Sequence, residues 1–214
     1  MRRIDLNETA EFLRNNDCFL ILMHGSPDGD TLGCGFAPCG ALQQLGKKAK
    51  AVCPDPIPRK FSYMFRDIEQ QEFEPQTIVT VDVADTKLLY GMKELGEKSA
   101  LCIDHHVSNT EYAERLLLAP EYAAAAELMF ELLYSMKDVK ITSSMADCLY
   151  TGIATDSGCF KYSNTSPQTH VYAAELMKLG ADIVPINYAM FDMKSQGRLK
   201  LEQAVLSRIR YYAD

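Results

Sequence analysis

Four short segments rich in aspartate and histidine stand at the ends of apolar runs, and they limit the fold more than any other feature of the chain. They read His24-Gly-Ser-Pro-Asp28-Gly-Asp30, Asp82-Val-Ala-Asp85, Asp104-His105-His106 and Thr155-Asp156-Ser157-Gly158. Three of them directly follow strand-like stretches, at residues 19–23, 78–81 and 100–103. Aspartate and histidine are poor strand residues, and burying them unpaired costs free energy. Their repetition predicts convergence on a compensating group, for which divalent metal ions are the simplest candidate.

The apolar pattern alternates between short strand-like runs and longer helical ones. We predict strands at residues 18–24, 49–53, 77–82 and 99–103, and helices at residues 31–45, 87–95, 123–136, 143–154 and 167–179. This alternation is typical of an α/β fold in which helices flank a mostly parallel sheet. Such sheets bind ligands beyond the carboxyl ends of their strands, which is where His24, Asp82 and Asp104 are expected.

Composition narrows the class of protein. The 214 residues, 47% of them hydrophobic, suffice for one large domain or one domain with an appendage. A net charge of -7 argues against long duplex nucleic acid as a partner, but a small anionic substrate held by metals remains open. No apolar run is long enough to cross a membrane, and the N-terminus lacks a hydrophobic signal core, so we expect a cytoplasmic protein.

The seven cysteines show no Cys-x-x-Cys pairing, and most of them sit within apolar runs. We expect reduced, buried thiols rather than a zinc site.

The first segment places His24, Asp28 and Asp30 within seven residues, with glycines that let the backbone bend. One imidazole and several carboxylates form a borderline-hard ligand set, which suits Mn²⁺, with Mg²⁺ or Co²⁺ as alternatives. A turn in which Asp28 caps the following helix is the competing interpretation.

The other three segments give evidence of different strength for a metal site. A lone Asp82 at a strand end is as compatible with a cap as with a ligand, and Asp85 before Thr86 fits a helix cap better. The triplet Asp104-His105-His106 is hard to explain as core, although a solvated loop is the alternative. Asp156 could simply be a polar residue at a helix end, and it gains weight only from the other three segments.

Together the segments resemble the motifs of the DHH phosphoesterase superfamily. The longer stretches Ile103-Asp-His-His-Val-Ser-Asn109 and Gly152-Ile-Ala-Thr-Asp-Ser-Gly-Cys-Phe-Lys-Tyr-Ser-Asn-Thr165 are similar to its nano-RNase and pAp-phosphatase branch. Enzymes of that branch degrade very short oligoribonucleotides and remove the 3′-phosphate of 3′-phosphoadenosine 5′-phosphate (pAp). The resemblance covers about residues 15–190.

The resemblance implies a role for each motif residue. One ion would be held by His24, Asp28 and Asp82, and a second by Asp30, Asp82, His105 and Asp156. His106 would contact the scissile phosphate, and Asp104 would orient the histidines. The implied reaction is hydrolysis of a phosphoester by water activated between two metal ions, Mn²⁺ being the favoured cofactor.

The resemblance also implies a division of the chain. Residues 1–192 would form the catalytic domain, and residues 193–214 would begin a linker helix toward a second, substrate-gripping domain that is absent from this sequence. The linker pattern at residues 195–211 carries an apolar stripe. We predict that this stripe pairs with a second copy of the chain, which would make the protein a homodimer.

Two alternatives to this function stay open. The first is a phosphodiesterase acting on cyclic or linear dinucleotides. The second is a non-catalytic nucleotide-binding module, an interpretation favoured by the missing second domain. Neither a Gly-x-Gly-x-x-Gly nor a Gly-x-x-x-x-Gly-Lys motif occurs, which argues against an enzyme that depends on a nucleotide cofactor.

Overall fold

A six-stranded sheet forms the centre of the computed structural model, which describes residues 1–210. The strands are β1 (Arg2–Arg3), β2 (Phe19–Leu22), β3 (Ala49–Val52), β4 (Thr77–Val81), β5 (Leu101–Asp104) and β6 (Arg115–Leu118). Their order is β1-β6-β5-β4-β2-β3, and every neighbouring pair is parallel. The carboxyl ends of β2, β4 and β5 therefore lie side by side at one edge of the sheet, and the α/β prediction is confirmed.

Helices cover the sheet, and most of them pack on one of its faces. The α-helices are α1 (Leu6–Asn15), α2 (Gly29–Gln44), α3 (Lys93–Gly96), α4 (Ala125–Ser135), α5 (Ser143–Asp156), α6 (Pro167–Lys178), α7 (Ile183–Asn187) and α8 (Gln196–Leu206). Alternate residues of β2 explain the two faces: Phe19 and Ile21 join the large helical core, whereas Leu20 and Leu22 join a small cluster on the opposite face.

The sequence missed the elements at the N-terminus and at one side of the sheet. β1 is two exposed arginines at the sheet edge and carries no apolar signal. Helix α1 did have a signal, because Asp5 and Glu8 form a capping box at its start. β6 and the 3-10 helix Arg59–Phe65 were also not predicted.

The predicted helix at residues 87–95 is wrong. The chain forms a 3-10 helix, Thr86–Met92, interrupted at Tyr90, where φ is 47° and ψ is -119°, and only then the four-residue α3. A positive φ cannot be accommodated inside a right-handed helix, so the apolar spacing that indicated one continuous helix is divided between two short ones.

All seven cysteines are free thiols; four are buried, as expected, and Cys18, Cys53 and Cys159 are only partly buried. No helix within residues 1–210 combines the length and apolar character needed to span a lipid bilayer. Helix α8 buries none of its side chains and exposes the apolar residues Leu199, Leu201, Val205 and Leu206. The end of the predicted linker pattern, Tyr211, lies outside the described residues.

Helices α2 and α5 approach closely because Gly33 has no side chain. A Cβ at this position would lie 2.5 Å from the backbone oxygen of Cys148 in α5, far inside van der Waals contact. Because α2 begins beside the first motif and α5 ends at Asp156, their contact also fixes the distance between two parts of the candidate site.

We expect Gly33→Ala to lower the free energy of unfolding by about 1–3 kcal/mol, because overpacking against a backbone atom outweighs the gain in helix propensity. Gly40→Ala in the same helix is the matched control, since its Cβ would make an ordinary 3.4 Å contact with Ile68. The control should gain about 0.5–1 kcal/mol. Urea unfolding of both variants measures the difference, and equal stabilities would contradict the packing argument.

Candidate metal centre

All six side chains predicted to bind metal meet at the carboxyl edge of the sheet. His24 lies just beyond β2, Asp82 follows β4 directly, and His105 follows β5. Helix α2 supplies two carboxylates from its start, and α5 supplies one from its last residue. Three strand ends and two helix ends thus bring these residues together: His24, Asp28, Asp30, Asp82, His105 and Asp156.

Asp82 occupies the middle of the centre. It is 2% exposed and has a φ of 56°, a left-handed conformation that aspartate tolerates better than most residues. One carboxylate oxygen, Oδ2, lies 3.5 Å from His24 Nε2, and the other, Oδ1, lies 3.7 Å from His105 Nε2. The two oxygens therefore face two different groups of donors.

The first group consists of His24, Asp28 and Asp82, whose donor atoms all lie within 4.8 Å of one another. Asp28 serves two roles, because its Oδ1 accepts hydrogen bonds from the first backbone N–H groups of α2 while its Oδ2 lies 3.8 Å from His24 Nε2. The two competing interpretations of Asp28 are thus compatible: the helix cap holds the carboxylate in the group.

The second group consists of Asp30, His105 and Asp156, again within 4.8 Å. His105 Nε2 lies 3.8 Å from Asp30 Oδ2 and 3.6 Å from Asp156 Oδ2. The same nitrogen also lies 3.7 Å from Asp82 Oδ1, so His105 connects this group with Asp82.

Both histidines of these groups are held in one tautomer. His24 Nδ1 lies 2.8 Å from the carbonyl oxygen of Gly25, and His105 Nδ1 lies 3.1 Å from that of Tyr122. A carbonyl oxygen only accepts, so each Nδ1 carries the proton and donates. The Nε2 lone pairs remain free and point at the carboxylates, which is how metal-binding imidazoles are usually oriented.

Asp30 is held by a helix that lacks a cap of its own. Its two oxygens accept the N–H groups of Ala125 and Ala126 at 2.7 and 2.8 Å, at the start of α4, where no side chain of α4 itself caps the helix. The positive end of the helix dipole favours a carboxylate there. The small alanine side chains at this helix start leave room for a buried carboxylate to reach the backbone.

Gly152 of α5 completes this pocket. A Cβ there would lie 2.7 Å from Asp30 Oδ1 and 2.6 Å from the Cβ of Ala126. The sequence reasoning did not single out this glycine, although it begins one of the quoted motifs.

Ionising all of these carboxylates at once costs free energy unless a cation is bound between them. Burial, together with the charges of neighbouring carboxylates, raises the pKa values of Asp30 and Asp82 well above their usual range. Burial and the charge of Asp28 raise the pKa of Asp156 to about 7, and burial lowers that of His105.

Two buried atoms of this centre, Asp82 Oδ1 and His105 Nε2, have no hydrogen-bond partner within the described residues. The lone pairs of these two atoms point at each other, and this arrangement costs free energy unless a positive charge lies between them. Nitrogen and carboxylate oxygens without thiolates form the donor set of a divalent ion such as Mn²⁺ or Mg²⁺. The residues therefore fit a divalent metal centre.

Asp104 organises the neighbouring His106. Its buried Oδ1 lies 2.8 Å from His106 Nδ1 and also accepts the backbone N–H of His105, while Oδ2 accepts from Asn109 Nδ2 at 2.6 Å. The hydrogen bond from His106 raises the pKa of that histidine. Burial alone would raise the pKa of Asp104, but the hydrogen bonds from His106 and Asn109 outweigh it and the pKa is lowered. Asn109 is a contributor to which the sequence assigned no role.

His106 also lies near Asp82, with its Nδ1 3.5 Å from Oδ1, and so belongs to a third candidate group with His105. The shorter hydrogen bond to Asp104 occupies that nitrogen, which argues against a metal bond at Nδ1. The side chain is 41% exposed, which leaves its Nε2 for other partners. Outside the centre, Asp85 caps the 3-10 helix at Thr86–Met92 by accepting the N–H of Lys87, as predicted.

The raised pKa of Asp156 predicts a pH-dependent stability in the absence of metal. Between about pH 4 and 7 the folded protein holds a proton that the unfolded chain has lost, so this contribution to stability is present at low pH and is lost as the pH rises through about 7. Asp156→Asn should match the wild type at pH 4 and be more stable at pH 8 by on the order of 1–3 kcal/mol.

Urea unfolding in a chelator at both pH values measures this difference. Added Mn²⁺ should stabilise the wild type at pH 8 much more than the variant, because the ion needs the ionised carboxylate. A variant that is less stable than the wild type at pH 8 without metal would contradict the electrostatic argument.

Comparison with known proteins identifies the family of this chain. The family described as "DHH family, N-terminal domain" matches residues 18–153. A bifunctional oligoribonuclease and PAP phosphatase of Thermus thermophilus is 29% identical over 197 residues, which are 90% of this chain and 59% of the relative. The corresponding protein of Mycoplasma genitalium is 30% identical over 191 residues, 86% of this chain and 60% of the relative. The chain thus spans about three fifths of the length of these relatives.

Solved structures share the fold. An exopolyphosphatase-related protein of Bacteroides fragilis superposes with a TM-score of 0.85 at 26% identity, over 97% of this chain and 66% of that one. A family II inorganic pyrophosphatase candidate of Methanococcus jannaschii, 19% identical with a TM-score of 0.56 over 80% of this chain and 59% of that one, shares the fold alone. Because the family match covers more than half of the residues and all four motifs begin within or close to it, this chain belongs to the DHH family.

Proposed function

We propose that this chain is the catalytic part of a metal-dependent phosphoesterase that hydrolyses short oligoribonucleotides, pAp or both. One observation carries the proposal: buried Asp82 turns its two oxygens toward two separate groups of histidine and carboxylate donors. The substrate class is supported by the names of the relatives, two of which are bifunctional oligoribonucleases and PAP phosphatases.

In this proposal the first group would hold one divalent ion and the second group another, and Asp82 would contribute to both sites. Mn²⁺ is the favoured ion, in line with a manganese-dependent inorganic pyrophosphatase of Bacillus subtilis that is 26% identical over 170 residues, 75% of this chain and 54% of that relative. Bound divalent ions lower the pKa of water and offset the charge of phosphoryl oxygens. The protein contributes the position of every donor, fixed by helix caps and carbonyl contacts.

His106 is the proposed contact to the substrate. The carboxylate of Asp104 accepts a hydrogen bond from His106 Nδ1 and raises the pKa of the imidazole. The ring is therefore more readily protonated near neutral pH. A protonated His106 can donate from Nε2 to a phosphoryl oxygen or protonate the leaving oxygen. Asp104 does not touch the substrate in this scheme and is a positioning residue, supported by Asn109.

The domain division is part of the same proposal. Residues 1–192 would form the catalytic domain, because every proposed ligand lies within them. Residues 193–214 would begin the linker, in agreement with helix α8, which buries no side chain. The match covers only 59% of the Thermus thermophilus relative, so the proposal concerns only the part of such enzymes that this chain resembles.

Asp82→Ala should abolish both tight Mn²⁺ binding and hydrolysis, because it removes the shared carboxylate. Asp85→Asn is the matched control from the same loop: it keeps a side chain that can cap the 3-10 helix and should leave both properties intact. Metal-stripped protein is titrated with Mn²⁺ and assayed on pAp, a diribonucleotide and cyclic di-AMP.

The substrate panel separates the alternatives. Turnover of pAp or the diribonucleotide that requires Mn²⁺ supports the proposal, whereas turnover of cyclic di-AMP alone would favour a cyclic-dinucleotide phosphodiesterase. Metal binding without hydrolysis of any of the three would indicate a nucleotide-binding module. Undiminished activity of Asp82→Ala would rule out the two-ion arrangement.

His106→Ala should lower kcat by about 10²- to 10⁴-fold while Mn²⁺ affinity stays within a few-fold of the wild type, because the ring acts on the substrate and not as a ligand. Isothermal titration with Mn²⁺ and initial-rate kinetics give the two values. A large loss of metal affinity would instead assign His106 to the third candidate group, as a ligand beside Asp82.

A further inference from the structure

Tyr90 has a backbone conformation that is unusual for a bulky residue. Its φ of 47° and ψ of -119° match the first central position of a type II′ turn, where glycine is strongly preferred. The next residue is Gly91, so the chain places tyrosine at the position that glycine would occupy without strain. Strained conformations of this kind persist only where neighbouring structure enforces them, and they cluster at functional sites.

The residues on the N-terminal side of Tyr90 are firmly held. The carbonyl oxygen of Leu88 accepts the backbone N–H of Gly25 at 2.8 Å. Leu89 is fully buried and belongs to the small cluster on the second face of the sheet. With Leu88 and Leu89 held in this way, the backbone turns at Tyr90, and the ring lies against Gly25, next to His24.

The ring of Tyr90 lies directly on Gly25. A Cβ on that glycine would come within 2.1–2.8 Å of three ring atoms, so only a residue without a side chain fits beneath the tyrosine. Gly25 immediately follows His24, and its backbone carbonyl oxygen accepts a hydrogen bond from His24 Nδ1. The ring is therefore one residue from a proposed metal ligand, yet Tyr90 remains 54% exposed.

No side-chain hydrogen bond or ion pair involves Tyr90 among residues 1–210. Burial does not explain the ring either, because more than half of the residue is in solvent. An exposed aromatic ring beside a phosphate-hydrolysing centre has one obvious ligand class, since nucleobases stack on aromatic faces regardless of their sequence.

We propose that Tyr90 is a specificity-determining residue that stacks on the base of the nucleotide whose phosphate lies at the metal centre. The choice of a nucleotide as ligand rests on the proposed function. The stacking explains why strain is maintained at Tyr90: a glycine would relax the turn but would offer the base no surface.

Equilibrium binding tests the stacking without requiring turnover. The full chain with Mn²⁺ is titrated with adenosine 5′-monophosphate and with ribose 5-phosphate, which lacks the base. Base stacking is expected to make the wild type bind the nucleotide about 5- to 100-fold more tightly than the sugar phosphate. Tyr90→Ala should reduce this ratio to about one, Tyr90→Phe should preserve it, and ribose 5-phosphate binding should be similar in all three.

Tyr134→Ala is the matched control, because this tyrosine is also 54% exposed but lies on α4 among Phe130 and Lys137. Tyr134→Ala should keep the wild-type ratio of the affinities for the nucleotide and the sugar phosphate. Comparison of Tyr90→Gly with Tyr90→Ala isolates the strain, since both lose the ring and only glycine adopts a φ of 47° freely. The glycine variant should melt at the higher temperature while losing the same preference for the nucleotide.

Three results would overturn the proposal. The wild type could bind the two ligands with equal affinity, or bind neither of them. Alternatively, Tyr90→Ala could lose affinity for both ligands equally, which would mean that the ring only covers Gly25. Failure of the proposed function looks different. A protein that prefers the nucleotide through Tyr90 but hydrolyses none of the three test substrates would retain the stacking and lose the catalytic assignment.

Discussion

The burial of mutually repelling carboxylates is the constraint on which the rest of this structure depends. Asp30, Asp82 and Asp104 are each almost inaccessible to solvent at one edge of the sheet, and each is compensated differently. Asp104 has His106 and Asn109 as hydrogen-bond donors, and Asp30 has the start of helix α4. Asp82 Oδ1 has no hydrogen-bond partner within the described residues, and neither has His105 Nε2, which lies 3.7 Å from it. The hydrogen bonds of the fold outweigh burial only at Asp104, whose pKa is lowered, whereas the pKa values of Asp30 and Asp82 stay well above their usual range.

The same constraint explains features that seem unrelated to the site. Gly33 lets α2 and α5 approach each other because it has no side chain. For the same reason, Gly152 leaves room for a carboxylate oxygen of Asp30 between the helices. The alanines at the start of α4 expose their backbone N–H groups to Asp30. A larger residue at position 152 would collide with the carboxylate of Asp30, and one at position 33 would push α2 away from α5. Small residues around the centre are therefore part of its electrostatics as well as of its packing.

Much of the fold could be predicted because its signals are local. Strand-like apolar runs, helix stops and the alternation of the two were sufficient for the parallel sheet, and polar residues at strand ends indicated where the site lies. Failures arose where the local signal was weak or misleading. The two arginines of β1 have no apolar pattern, and the apolar spacing at residues 87–95 does not reveal that Tyr90 turns the chain. A positive φ at a tyrosine is imposed by neighbours that are distant in sequence.

The sequence by itself determined the chemistry of this protein: the donor types, their order along the chain and their positions at strand and helix ends. These follow from residue identity and from short-range periodicity. Only the tertiary structure decided which oxygen faces which nitrogen, that Asp28 caps a helix while facing His24, that a helix start holds Asp30, and that an exposed tyrosine ring rests on Gly25. Such arrangements depend on contacts between residues up to about a hundred positions apart, and no local pattern encodes them.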